Sequence, residues 1–449
     1  MRRSLFLIVL LLVLVSGSLS GQNPIIRNQF SADPTARIFN GRVYVFPSHD
    51  IPAPEGKNLR KDWFCMEDYH LFSSDDLVNW TDHGVIVTQS KVNWVDSTSY
   101  SMWAPDCVER NGKYYFYFPA NNKLPDANGH KLFSIGVAVA DKPEGPYIPQ
   151  KEPIEKVQGI DPNLFIDKDG QAYLYWSQQE IYVAKLKENM VELETEPLVI
   201  AHLPEKGLKE GAFVFERNGI YYLTFPHVEH KIERLEYAIS DNLMGPFKMA
   251  GVIMDESPLN CWTNHHSLIE FKNQWYLFYH QNEYSPQFDK NRSICIDSLF
   301  FNADGTIQKV LPTSRGVGIT PATAQIQIDR FSQKSDDSVS ITFLDSTDHF
   351  KGWKTVLEKS GSWIKYNAVG FEKKIVNRVD ICALSPEGGT VQIRLDSPEG
   401  PVISEVKVPK GTAWEIIEGK VDRQQSGIRD VVILLNGSPV AIDWIRFRE

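Results

Sequence analysis

The sequence predicts an all-β chain: a five-bladed β-propeller followed by a β-sandwich of jelly-roll type. Three observations carry this reading. Helical patterning is almost absent, while β-branched and aromatic stretches are punctuated throughout by Gly, Asn, Asp and Pro. Five stretches repeat one design, in which a charged or imidazole side chain precedes a polar turn and an aromatic strand. Beyond Pro321 the rhythm changes to short alternating strands.

Taken in chain order, residues 1–21 read as a secretory signal. Arg2-Arg3 precede the apolar run Leu5 to Val15, and small residues follow (Ser16, Gly17, Ser18, Ser20, Gly21). The run is too short to span a bilayer. No Cys directly follows it, so a lipid anchor is not expected, and no other long apolar run predicts a membrane span. The chain is therefore expected to be exported, to the periplasm or the cell exterior.

The propeller is placed at residues 23–320. Its repeats begin at Asp33-Pro34, Asp106, Asp161-Pro162, Glu210-Gly211 and His265-His266, and they run into Arg42 to Phe46, Lys113 to Tyr117, Gln171 to Tyr175, Ile220 to Leu223 and Trp275 to Tyr279. A hairpin recurring every ~50 to 70 residues reads as radial blades, because such units stack to share a core. Corresponding ends of the blades would face one axis, so the three carboxylates of Asp33, Asp161 and Glu210 and a His would converge there. Pro312, Gly316, Gly318 and Pro321 mark a break, and residues 325–449 read as the sandwich.

A length of 449 residues favours more than one domain, and 42% apolar content supports a packed core. The formal net charge of −10 becomes more negative once Arg2 and Arg3 are removed. Such a chain is repelled by nucleic acid and anionic membranes, which leaves a neutral ligand as the fitting partner. Aromatics at 12% suit both strands and sugar-stacking surfaces. The five cysteines form no C-x-x-C pair, so zinc and thiol redox sites are not indicated, and they are expected to be buried and unpaired.

The repeat starts point to acid/base chemistry. Pro34 and Pro162 hold the chain extended after Asp33 and Asp161 and fix the direction of each carboxylate. Glu210 lies among small residues with Phe213 as apolar surroundings, where desolvation would raise its pKa as a general acid requires. Two carboxyls in unequal environments flanking a glycosidic bond suit hydrolysis; a wide gap gives inversion and a narrow one retention.

The set Ala32-Asp33-Pro34, Trp103-Ala104-Pro105-Asp106, Ile160-Asp161-Pro162, Glu210-Gly211 and His265-x-Ser267, with Ser74 to Trp80, resembles glycoside hydrolase family 43 over residues 30 to 315. The resemblance implies an inverting five-bladed propeller acting on arabinose- and xylose-containing plant polymers. It implies Asp33 as general base, Glu210 as general acid and Asp161 as the residue that tunes and orients the acid. It places His265 on the axis, near a water-coordinated calcium or a water cluster; the chemistry itself requires no cofactor. The doubled His leaves open which ring faces inward. Arg292 would contact the sugar, and Trp103 would wall the subsite by stacking on it. Asp106 would support the pocket.

The C-terminal stretches Gly361 to Tyr366, Gly388 to Pro398 and Ile442 to Phe447 resemble a family 6 carbohydrate-binding module, with Trp414 and Tyr366 as a pair of stacking platforms. Ala441 stands where that family often carries Asn, so both sugar binding and a purely structural flank stay open.

The function expected is an exported hydrolase that removes pentose units, of the α-L-arabinofuranosidase or β-D-xylosidase type, from a plant oligo- or polysaccharide. Alternatives are a galactofuranose- or galactan-directed enzyme, an endo-arabinanase of the same family, and a sugar-binding propeller without activity. A retaining fructan-cleaving relative lacks support, since Asn-Asp-Pro-Asn and Glu-Cys are replaced by Ala32 to Thr35 and Glu210-Gly211.

Overall fold

The structure, a computed structural model, describes residues 23–56, 59, 62–125, 129–285, 287–348, 351–371, 376–422 and 425–449. The signal segment expected at 1–21 lies outside them. Among the described residues the only helices are single 3₁₀ turns at Gln89–Lys91 and Ile328–Arg330, and no helix is long and apolar enough to cross a membrane. The chain divides into two compact units, Gly21–Gly318 with Arg330–Gln333, and Ile319–Asp329 with Lys334–Glu449.

The first unit is a succession of antiparallel sheets, each with its strands side by side in chain order. Sheet one holds β1 (Phe30–Phe39), β2 (Arg42–Asp50), β3 (Asp68–Ser74) and β4 (Thr81–Thr88). Sheet two holds β5 (Asp106–Arg110), β6 (Lys113–Asn121), β7 (Phe133–Ala140) and β8 (Ile148–Pro149). Sheet three holds β9 (Ile160–Ile166), β10 (Ala172–Gln178), β11 (Glu180–Lys185) and β12 (Leu198–Val199). Sheet four holds β13 (Phe213–Arg217), β14 (Ile220–Val228), β15 (Glu233–Ser240) and β16 (Lys248–Met254). Sheet five holds β17 (Ser267–Phe271), β18 (Gln274–Gln281) and β19 (Ser293–Leu299). The aromatic strands of the sequence repeats are the second strands of these sheets.

Local chemistry sets the hairpins. Asn40-Gly41, Asn111-Gly112 and Asn218-Gly219 all have positive φ, the signature of type I′ turns, whose twist matches paired strands. Asp33 and Asp161 also have positive φ, at 48° and 57°. Both sit where the ladder slips: pairing is lost between Ala32 and Thr35 on β1, and between Ile160 and Asn163 on β9. A Pro there gives up no ladder bond, and the bulge re-aims the side chain before it.

The core is shared between neighbouring sheets. One cluster joins Tyr44 and Phe46 of sheet one to Phe116 and Ala138 of sheet two. Others join sheet two to three through Tyr117 and Leu174, three to four through Tyr175 and Phe225, and four to five through Phe213 and Leu277. A further cluster joins Phe278 and Ile294 of sheet five to Val43 and Phe72 of sheet one. The first strands touch in the same succession, β1 with β5, β5 with β9, β9 with β13, β13 with β17, and β17 with β1. Buried polar groups stitch them together. Arg37 donates to Asp106 at 2.9 Å, Asp106 accepts from Leu164 N at 2.6 Å, and Ser267 Oγ donates to Pro34 O at 2.7 Å.

The second unit contains two sheets. One runs Thr320–Pro321, Trp363–Phe371, Gly427–Gly437, Gly389–Leu395, Val402–Val408, and the other Val339–Phe343, Trp353–Leu357, Val440–Arg448, Arg378–Leu384, Glu415–Lys420. The expected platform pair does not form. Tyr366 is buried at 1% exposure, with its hydroxyl 3.1 Å from Thr320 Oγ1. Its alternation along Trp363–Phe371 turns it into the core, so no sugar can stack on it. Trp414 stays partly exposed beside Phe343, Asp345, Lys351 and Lys354. All five cysteines are free; Cys382 is half-buried and the others are buried.

Candidate active site

The starts of β1 and β9, the segment before β13, the start of β15 and the segment before β17 meet at one cavity of about 210 Å³. Asp33, Asp161, Glu210, Glu233, His265 and Arg292 line it, with Trp63, Phe64, Met66, Trp103 and Trp262 as its apolar wall. This is smaller than the roughly 300–1,000 Å³ of drug-sized sites and suits a single sugar ring.

Asp33 is held by a guanidinium. Arg292 Nη1 donates to Asp33 Oδ1 at 2.8 Å and Nη2 to Oδ2 at 3.2 Å. The same guanidinium donates to both Asp50 oxygens, at 2.8 and 2.9 Å, and packs 4.8 Å from the Phe64 ring centre. Ser48 Oγ donates to Asp33 Oδ2 at 2.5 Å, and Asp33 N donates to His280 Nδ1 at 3.1 Å. Burial alone would raise the Asp33 carboxyl, but Arg292 foremost, with His280, His265 and Ser48, outweighs it and holds the group at about 2. Asp33 is thus ionised across the ordinary pH range.

Glu210 is driven the other way. Enclosure by protein raises its pKa, and Glu233 beside it raises it further. Glu233 is itself raised, first by burial. Its Oε2 accepts from Asn264 N at 2.7 Å, while Oε1 has no protein donor. Two carboxylates cannot hydrogen-bond to each other, so the Glu210–Glu233 contact is a bond only when one of them carries a proton.

Asp161 is also raised, by burial and then by Glu210 and Asp33. Its Oδ2 accepts from Gly211 N at 2.9 Å and so anchors the segment that carries Glu210. Gly211 has φ 57°, and a Cβ there would lie 2.7 Å from Pro226 and 3.0 Å from His265, so this close approach requires glycine.

The structure therefore brings Asp33, Asp161, Glu210, His265, Arg292 and Trp103 together. It also separates the two histidines. His265 lines the cavity with Nδ1 4.0 Å from Asp161 Oδ1, whereas His266 turns away to Thr224 Oγ1 at 2.6 Å. Burial lowers the His265 imidazole to about 4, so it is neutral. Asp106 lies behind the site, paired with Arg37. Phe213 does not line the cavity. It is the first residue of β13, packs in the core with Leu235 and Leu277, and lies under Arg37. The strand's alternation turns it away from Glu210, and Trp63, Phe64 and Trp262 supply the apolar wall instead.

Sequence reasoning missed Glu233, Asp50 and Ser48. Glu233 enters from the third strand of its sheet without Pro or Gly beside it and so carries no local signal. Ser48-His49-Asp50, a polar run closing an apolar strand, is the signal that would have pointed to the other two.

The chain is similar to known proteins. The sequence model of "Glycosyl hydrolases family 43" matches residues 21–307, and that of "Carbohydrate binding module (family 6)" matches residues 333–449. A xylosidase/arabinosidase 43A of Humicola insolens is 36% identical over 332 residues, covering 63% of this chain and 98% of that protein. A xylosidase/arabinosidase of Bacteroides ovatus is 34% identical, covering 63% and 95%. A solved family 43 beta-xylosidase/alpha-arabinofuranosidase from a compost microbial metagenome, in complex with xylotriose and in a calcium-free form, aligns with a TM-score of 0.57 at 33% identity, covering 65% of this chain and 97% of that one. The family match extends over more than half of the sequence and includes all the residues lining the carboxyl-rich cavity, and the chain belongs to glycosyl hydrolase family 43.

Proposed function

We propose that this chain is an exported, inverting hydrolase that releases terminal α-L-arabinofuranosyl or β-D-xylosyl units from plant polysaccharide, on a five-bladed propeller. The carrying observation is the opposed surroundings of two carboxyls in one small cavity: Asp33 against the Arg292 guanidinium, which lowers its pKa, and Glu210 buried beside Glu233, which raises it. The cyclic succession of shared cores, ending on sheet five against sheet one, supports the propeller. The names of the two relatives and the bound xylotriose support a pentose.

In this reading Asp33 takes a proton from water as the water attacks the anomeric carbon. Glu210 gives its proton to the leaving oxygen. Asp161 holds the Glu210 segment through Gly211 N and, with Glu233, keeps the acid protonated. The small volume of the cavity favours release from chain ends. Residues 1–21 act as the export signal.

The hub also bears on calcium, which prefers oxygen donors. His265 and the carboxylate oxygens around it fit an ion completed by water. When bound, it would supply positive charge that steadies the ionised carboxylates.

The decisive test is a screen on nitrophenyl arabinofuranoside, xyloside and galactofuranoside, followed by NMR of the first-formed sugar. Release of a pentose with inverted anomeric configuration is expected. Retention would refute the water-activating role of Asp33, cleavage of the galactofuranoside alone would overturn the pentose assignment, and silence on all three and on arabinoxylan would leave a binding protein. A second expected result concerns pH. Glu233→Gln removes a negative charge that raises Glu210, so the acid loses its proton earlier. The alkaline limb of kcat/KM moves to lower pH, and an unmoved limb would remove Glu233 from the mechanism.

A further inference from the structure

We propose that sheet one carries a site for a divalent transition metal of the zinc class, formed by His49, Asp68 and His70. This inference is independent of the glycosidase reading. Asp68 and His70 are alternate residues of β3 and so share a face. Continuing the antiparallel pairing of β2 with β3 places His49 of β2 opposite Asp68. One donor atom from each of the three lies within 4.8 Å of the others. His49 Nδ1 is 2.7 Å from Asp68 Oδ1, and the two imidazole centres are 5.0 Å apart at a steep angle of 72°.

Zinc bonds of about 2.0–2.2 Å place tetrahedral donors roughly 3.4 Å apart. The present spacings bracket that value, so small side-chain rotations close the site. Two imidazoles and one carboxylate are the donor set of zinc, cobalt or nickel, whereas calcium prefers oxygen alone. Asp82 supplies the supporting contact, with Oδ1 3.3 Å from His70 Nδ1. It is itself oriented by Gly84 N at 2.7 Å and Asn28 Nδ2 at 3.3 Å. A carboxylate on one ring nitrogen leaves the other, Nε2, as the metal ligand. Side-chain exposures of 18%, 14% and 17% for His49, Asp68 and His70 let an ion enter and leave a position for water.

The site is separate from the cavity, yet tied to it by one strand. Ser48 and Asp50 flank His49 on β2 and point to the other face, where Ser48 holds Asp33 and Asp50 holds Arg292. A metal on His49 would pin the strand that positions the ionised carboxylate.

The test is cobalt(II) titration of the full chain after chelator treatment, read by its visible d–d absorption. One equivalent with four- or five-coordinate intensity, displaced by zinc but not by calcium, is expected. His49→Ala and His70→Ala should abolish the signal. Asp82→Asn, which leaves all three ligands in place, should weaken binding about 10- to 100-fold. Folding of each variant is checked by near-ultraviolet circular dichroism, and Asp68→Asn replaces any variant that does not fold. Absence of the band in the parent protein overturns the site. So does a band that survives His49→Ala and His70→Ala, or one that disappears in His265→Ala instead.

Discussion

Glu210→Ala is expected to lower kcat on a natural pentosyl linkage by about 10²–10⁴-fold, the usual weight of a positioned general acid. The loss should depend on the leaving group. A natural alcohol must be protonated as it departs, whereas a nitrophenolate leaves without help. The variant should therefore retain much more of its activity on nitrophenyl glycosides than on xylobiose or an arabinosyl xylan. Steady-state kinetics on both substrates decides the matter, and equal losses would remove Glu210 as the acid. The expectation rests on the enclosed, carboxyl-crowded position of Glu210, which keeps its proton above the usual carboxylate range.

Arg292→Ala is expected to be costly to both stability and activity. Arg292 is 2% exposed and bridges two buried carboxylates, Asp33 and Asp50. Removing one partner of a buried ionic group typically costs about 3–5 kcal/mol, because the remaining charge is left without compensation. Denaturant unfolding should read a loss of that order. The pH sign follows from Asp33, whose pKa when folded, at about 2, lies below its ordinary value near 3.8. The stability it contributes is present above the ordinary value and is lost as pH falls toward 2. Without the guanidinium, burial is opposed only by His280, His265 and Ser48, so the Asp33 pKa rises and the acid limb of kcat/KM moves to higher pH. Arg292→Lys should recover only part of the stability, since one ammonium cannot match a fork that meets both carboxylates. Wild-type stability in Arg292→Ala would show that the pairing contributes nothing.

Residues that act through their own backbone could be read directly. Asn-Gly turns declare themselves because few residues accept positive φ, and aromatic strands follow them. Asp33-Pro34 and Asp161-Pro162 stood out because a Pro constrains the chain directly after the carboxylate; the bulges in which they sit came only with the structure. Phe213 misled because an aromatic two or three residues from a carboxylate can face either way, and the start of β13 turns it into the core. Tyr366 misled in the same way on its own strand.

From its sequence alone this chain was determined to be all-β, built of repeated hairpins, with acids opening four of them, because turn dihedrals and strand periodicity depend on adjacent residues. Only the tertiary structure decided that Arg292 grips Asp33 across 259 residues, that Glu233 faces Glu210 and that His265 rather than His266 reaches the cavity. Those outcomes depend on which way side chains point from strands remote along the chain. The protonation states that suit Asp33 and Glu210 to opposite roles arise from the charges and burial which that packing imposes.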